Sequence, residues 1–285
     1  MRGIIDMRLR PPLKAWVEGP TFKTAMYYPR NVPNFPGARS AWTESMKALF
    51  EEMDEAGVGT GVIMGRAATG KLGGVNNSAI IEALDAWPER FVGFLSTDLE
   101  QVEASIEDVR RHAGHPRVKG ISIEPGSSKT PRLADDSALD PIYELCLELH
   151  LPVSISLSGL LSALAGHDLS WSSPIPVQRV AMRYPELTII VSHAAWPFAE
   201  QMVAIALTCK NIYVSPDLYV ATAGIPARQP YVDAANLYLA DRTLFGTAYP
   251  TRPLKDALHD FLAMGWRPEI VEGILRDNAR QVLGL

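Results

Sequence analysis

The chain alternates short runs of β-branched apolar residues with longer stretches in which apolar positions recur at helical spacing. A strand buried on both faces reads as a continuous run of Val, Ile and Leu, which is the mark of a parallel sheet covered by helices. Eight such runs stand out: Ile4 to Met7, Gly61 to Met64, Phe91 to Leu95, Val118 to Ile123, Val153 to Leu157, Leu187 to Val191, Ile212 to Val214 and Thr243 to Phe245. Between them the periodicity predicts helices over Thr43 to Ala56, Asn77 to Trp87, Leu99 to Arg111, Leu139 to His150, Pro176 to Arg183 and Phe198 to Leu207. Eight strands with intervening helices predict an α/β fold, a (β/α)8 TIM barrel, and 285 residues suit one such domain spanning residues 1–285.

Two segments break the rhythm. Residues 11–42, with Pro11, Pro12, Pro20, Pro29, Pro33 and Pro36, predict a long structureless insertion after strand one, of the kind that acts as a lid. Tyr27, Tyr28 and Arg30 within it are placed to close over a bound molecule. A second insertion, Ser158 to Ser173, follows strand five.

Composition narrows the partners. The chain is 47% hydrophobic and 21% charged, with a mean hydropathy of +0.02, which suits a soluble protein with a large core. Its net charge of −5 and lack of a basic run exclude the electrostatic footprint of a nucleic-acid binder. Cys146 and Cys209 alone cannot make a disulfide framework, and no apolar stretch approaches the ~18 residues of a membrane span. The expectation is a reduced, cytoplasmic protein without a membrane anchor, acting on small molecules.

In such a barrel the active site lies at the carboxyl ends of the strands. Arg8 and Arg10 follow strand one at alternating spacing, so both point to the same side. Arg66 follows strand two, Glu124 ends strand four, Ser156 lies in strand five, His193 ends strand six and Asp217 with Tyr219 follows strand seven, while the eighth run leads into Thr247, Ala248 and Tyr249.

The segments Tyr184-Pro185-Glu186-Leu187-Thr188-Ile189-Ile190-Val191-Ser192-His193, Leu244-Phe245-Gly246-Thr247-Ala248-Tyr249-Pro250, Trp87-Pro88-Glu89-Arg90-Phe91-Val92-Gly93 and Asp277-Asn278-Ala279-Arg280 carry a resemblance. The chain resembles the amidohydrolase-related family, in the branch of aminocarboxymuconate-semialdehyde-type decarboxylases and lactone hydrolases. That resemblance implies a distorted TIM barrel, hydrolase or carboxy-lyase chemistry, and a homodimer. It also implies a metal site whose His-x-His falls here on Arg8 and Arg10, whose strand-five histidine falls on Ser156, and whose strand-eight aspartate falls on Ala248. The strand-six histidine is kept as His193.

Two guanidiniums where neutral imidazoles would stand repel a divalent ion, so no metal is expected at that position, and no other cofactor. A His-plus-two-carboxylate site rebuilt from Glu124, His193 and Asp217 is the exception to exclude. The leading expectation is a metal-independent hydrolase cleaving a lactone or amide in a small carboxylated compound. In it His193, Glu124 or Asp217 activates water, and Arg8 and Arg10 hold the substrate anion and the developing oxyanion. Arg66, Ser156, Trp196, Tyr219 and Tyr249 line the substrate pocket. One alternative is decarboxylation of an aromatic or unsaturated acid; another is a non-catalytic relative serving as a binding protein or partner subunit. The arginines could instead make structural ion pairs with Asp6, Glu124 or Asp217.

Overall fold

The computed structural model describes residues 3–19, 22–23, 37–67 and 71–285. Seven parallel strands lie in chain order: β1 Ile4–Leu9, β2 Val58–Met64, β3 Phe91–Ser96, β4 Val118–Ile123, β5 Val153–Ser158, β6 Ile189–Trp196 and β7 Ile212–Ser215. The eighth predicted strand is reduced to isolated bridges pairing Thr243 with Val214 and Tyr249 with Leu9. It still closes the barrel, because residues 242–249 bond to both neighbours. Leu244 N donates to Val214 O at 2.9 Å, and on the other side Met7 N donates to Phe245 O at 2.9 Å and Arg10 N to Tyr249 O at 3.1 Å. Its regularity is lost where Ala248, at φ 57°, turns the chain.

Helices pack around the barrel where the periodicity places them, with shorter ends. Met46–Ala56 begins where Ser45 Oγ accepts from Ala48 N and stops at Gly57, whose φ of 74° suits glycine. Asn77–Ala86 is capped likewise by Asn76. Val102–His112, Asp140–Glu148, Ile175–Arg183 and Ala199–Thr208 complete the agreement. The insertion after β1 is not wholly structureless: short helices form at Lys14–Val17 and Arg39–Trp42, the first burying Trp16. Tyr27, Tyr28 and Arg30 lie outside the described residues. The second insertion folds as a helix, Gly159–Leu164, and a single tight turn, Leu169–Ser172. Among the described residues no helix is long and apolar enough to cross a membrane.

Two cores result. The larger lies between strands and helices; the smaller gathers Ile5 and Met7, Val62 and Met64, Val92 and Phe94, Ile190 and Leu244 with Ala279 and Leu283. Residues from opposite sides of the barrel meet in this second cluster, so it fills the interior at the amino-terminal end, plugged by the helix Asn278–Leu283. Towards the carboxyl ends the inner positions turn polar. Ser154 and Ser192 share a hydrogen bond of 2.8 Å, and Ser122 and Ser156 are buried nearby in sequence on β4 and β5.

The change of character on β1 depends on a bulge. Ile5 and Met7 face inward, so strict alternation would send Leu9 inward too; instead the register with β2 shifts between Asp6 and Leu9, and Leu9 joins the outer core. Asp6 stabilises the shift. Its Oδ1 accepts from Arg8 N at 3.0 Å and from Thr247 N at 3.0 Å, while Oδ2 accepts from Thr247 Oγ1 at 2.6 Å. One buried carboxyl therefore bends β1 and ties it to the closing segment. Thr247→Val should lower unfolding free energy by about 1–3 kcal/mol by leaving a buried Asp6 oxygen without that donor, read as a drop in the chemical-denaturation midpoint.

Candidate active site

The bulge turns Arg8 and Arg10 into the carboxyl-terminal mouth, where both meet the carboxylate that β4 delivers just beyond its last residue. Arg8 Nη2 donates to Glu124 Oε1 at 2.9 Å and Arg10 Nη2 to the same oxygen at 3.1 Å; Arg66 Nε donates to Oε2 at 2.6 Å. Arg8 Nη2 also reaches Ser156 Oγ at 3.1 Å. Most of this is sheltered from water: Arg8 is 0% exposed and Arg66 8%, while the Glu124 side chain keeps 10%. Arg10 packs its guanidinium over Trp16, 5.5 Å from the ring centroid.

Burial works against the Glu124 anion, but Arg66, Arg10 and Arg8 outweigh it and hold the carboxyl at about 2. It is an anion at any physiological pH and a poor base. Burial likewise presses down on the Arg8 guanidinium, against attraction from Glu124 and Asp217, and on Arg10, where Arg66 and Arg8 add their repulsion. Guanidiniums stay protonated under such pressure. One ionised carboxylate thus faces three cations, and the mouth keeps an excess of positive charge.

Its donors are also in excess. Arg8 Nε and Nη1, Arg10 Nε and Ser122 Oγ are buried with no hydrogen-bond partner among the described residues. Buried donors in native proteins are almost always paired, so four orphans in one mouth point to a ligand with several acceptor oxygens.

The second half of the site comes from β6 and β7. His193 N donates to Asp217 Oδ2 at 3.1 Å, and the same oxygen lies 3.6 Å from His193 Nδ1, beyond hydrogen-bond distance. Ser215 Oγ donates to Asp217 Oδ1. Burial and then Arg8, Arg10 and Arg66 push the imidazole well below its usual range, so it is neutral near pH 7. Burial raises Asp217, with Arg8 and the hydrogen bonds from Ser215 and His193 opposing. Tyr219 sets its ring edge-on to His193, centroids 5.7 Å apart, and stacks on Trp196 at 4.6 Å and 10°.

The backbone here is strained. His193, Ala194 and Ala195 hold φ of 62°, 47° and 57°, and Asp217 and Ala248 hold 46° and 57°, all in the left-handed region that side chains disfavour. Tyr231 Oη, donating to Ala194 O at 2.9 Å, helps hold the turn. Gly246 permits the approach of β7, since a Cβ there would come 2.4 Å from Asp217 Oδ1. Strain at three neighbouring strand mouths is the pattern of a working site.

Arg8, Arg10, Arg66, Glu124 and Ser156 thus form one group, and His193, Asp217, Tyr219 and Trp196 another, coupled through the field of the arginines on His193 and Asp217. Tyr249 belongs to neither. It is fully buried in the layer between barrel and helices, its hydroxyl 2.8 Å from Ser40 Oγ. The bulge explains this: Tyr249 pairs with Leu9, an outward position. Asp6 accepts from the backbone of Arg8 rather than its guanidinium and is the staple described above; burial raises it to about 7, against its hydrogen bonds from Thr247 and Arg8. Ser122 went unnoticed in the sequence because a serine inside an apolar strand carries no periodic signal.

The profile of the family described as Amidohydrolase matches residues 30–285. The chain belongs to the amidohydrolase family. A TIM-barrel protein of uncharacterised function from Bordetella bronchiseptica is similar over 99% of this chain and 98% of its own, with 33% identity and a TM-score of 0.89. The fold is also that of 2,6-dihydroxybenzoate decarboxylase from Rhizobium, at TM-score 0.70 and 18% identity over 100% of this chain and 99% of that one. A 2-amino-3-carboxymuconate-6-semialdehyde decarboxylase of Dictyostelium discoideum is 27% identical over 135 residues, which is 43% of this chain and 37% of that protein.

This family member does not fit a divalent metal where the family resemblance would put one. Two positions are cations, Ser156 Oγ is taken by Arg8, and Ala248 offers a methyl group. Nor do Glu124, His193 and Asp217 rebuild a centre: among the described residues no three His, Cys, Asp or Glu side chains come together to hold an ion.

Glu124→Gln should cost about 3–5 kcal/mol at pH 7, by stranding buried guanidiniums. The native carboxyl titrates at about 2 instead of 4.5, so its contribution is full above pH 4.5 and lost as pH falls towards 2. Denaturation across that range should show a steeper acid loss in the parent than in the variant.

Proposed function

We propose that this chain is a metal-independent enzyme that hydrolyses a lactone or amide bond in a small carboxylated compound. The observation that carries the reading is the set of buried, unpartnered donors on Arg8 and Arg10 beside a neutral histidine. Arg8 Nε and Nη1 and Arg10 Nε take the substrate carboxylate and the acyl oxygen. His193 holds its Nδ1 proton on the side of Asp217, 3.6 Å away, and its Nε2 takes a proton from water as the water attacks the acyl carbon. The arginines receive the negative charge that forms on the oxygen. Collapse of the tetrahedral intermediate breaks the acyl bond, and the imidazolium returns its proton to the departing oxygen or nitrogen. Glu124, already ionised and bound by three arginines, orders those cations and takes no proton.

A non-catalytic role fits less well, because nothing in a mere scaffold repays the desolvation of so many charges and the left-handed backbone at three strand mouths. Decarboxylation is the second reading, favoured by the decarboxylases among similar proteins. The same arginines could stabilise a carbanion, yet clamping a carboxylate in a cationic mouth also stabilises it against loss of carbon dioxide.

Turnover of a panel of lactones, amides and aromatic carboxylates, with product analysis and carbon dioxide detection, should show hydrolysis that survives chelation; chelator-sensitive turnover or carbon dioxide release would displace the reading. On the responsive substrate His193→Asn should lower kcat about 100-fold or more, and Arg8→Met should lower kcat/KM by about 100- to 1,000-fold. Because His193 stays neutral below its usual range, kcat/KM should remain level as pH falls through about 6.5.

A further inference from the structure

A narrow cleft opens beside the arginine cluster, between the loops that follow β2, β3 and β4. It runs from the exposed Glu100 and Lys129 at its rim down to Ser122, which is 2% exposed, with Arg66 and Glu124 also on its walls. Two sets of donors there are unused. Ser122 Oγ is buried with no hydrogen-bond partner among the described residues, and the Thr97 hydroxyl on the same wall donates to Ser122 O at 3.2 Å instead. The Arg66 side chain gives Nε to Glu124 and makes no other hydrogen bond among the described residues, so Nη1 and Nη2 remain available.

The charges on these walls nearly cancel. Arg66 and Lys129 stand against Asp98, Glu100 and Glu124, so the cleft does not attract a second anion. Glu100 also spends both its oxygens on Thr130, on N at 2.7 Å and on Oγ1 at 2.9 Å. Buried donors are almost always paired, and the unmet ones here suit a neutral oxygen. The free volume is 30 Å³, room for about two water-sized groups, such as a hydroxyl and the carbon that bears it. We infer that the substrate carries a hydroxyl group remote from the bond that is cleaved, and that Ser122 and the Nη edge of Arg66 recognise it in this cleft while Arg8 and Arg10 hold the carboxylate. This rests on the proposed reading of the mouth as a carboxylate-holding site, and it narrows the substrate to a derivative of a hydroxylated carboxylic acid. Arg66 takes one oxygen of Glu124 and Arg8 with Arg10 the other, so the two subsites flank a single carboxylate, within the span of one small molecule.

Calorimetric titration of the whole protein with two matched pairs of probes tests this: 4-hydroxybutanoate against pentanoate, and 3-hydroxybutanoate against 3-methylbutanoate, each pair differing by a hydroxyl in place of a methyl group. Burial of apolar surface alone favours the methyl probe, so a preference for the hydroxyl reports a hydrogen bond. In at least one pair the hydroxyl probe should bind about tenfold more tightly, and Ser122→Ala should cut that preference to about twofold or less by weakening the hydroxyl probe. Because the substitution removes a hydroxyl that has no partner, the denaturation midpoint of Ser122→Ala should not fall; a fall would mark Ser122 as structural and count against the inference. Probes that bind with no hydroxyl preference, or a preference that survives Ser122→Ala, would overturn the inference and leave the carboxylate-holding mouth intact. Failure of all four probes to bind would overturn both.

Discussion

Three guanidiniums drawn onto one carboxylate, almost out of solvent, is the arrangement on which the carboxyl-terminal end of this barrel depends. Arg8 lies in β1 and Arg10 just after it, Arg66 follows β2, and Glu124 follows β4, so the cluster locks three strands of the barrel to one another. Such a cluster is costly to desolvate and survives only because each oxygen of Glu124 is taken and because Asp6 holds the bulge that aims Arg8 inward. Remove the bulge and Arg8 would face the helices.

The same cluster sets the chemistry of its neighbours. Burial lowers the imidazole of His193, the arginines' charge adds to that, and the same charge opposes the upward push of burial on Asp217. A barrel in which cations stand at the positions of metal ligands retains a strong electrophilic field but gains fixed, directional donors in place of open coordination positions. Such donors suit binding and charge stabilisation; they cannot lower the pKa of a bound water as a metal would, so in the proposed hydrolysis the proton goes to a side chain. That is why a neutral histidine beside the cluster matters.

Polarity is layered along the barrel axis. Apolar side chains fill the amino-terminal half, serines line the middle, and charge occupies the carboxyl-terminal mouth.

Sequence alone determined the architecture and most of the cast. Runs such as Val153 to Leu157 and Ile212 to Val214 are apolar on both faces, and only a covered parallel sheet satisfies that pattern; the strand-end rule then pointed to Arg8, Arg10, Arg66, Glu124, His193 and Asp217. What it did not determine was pairing and direction. Tertiary structure decided that Glu124, out of three carboxylates in reach of the arginines, is their partner, that Asp6 serves the backbone, and that Tyr249 turns away towards Ser40. The reason is physical: local periodicity fixes which face a residue occupies only while the alternation is unbroken, and a bulge stabilised by a contact between residues 6 and 247 resets it.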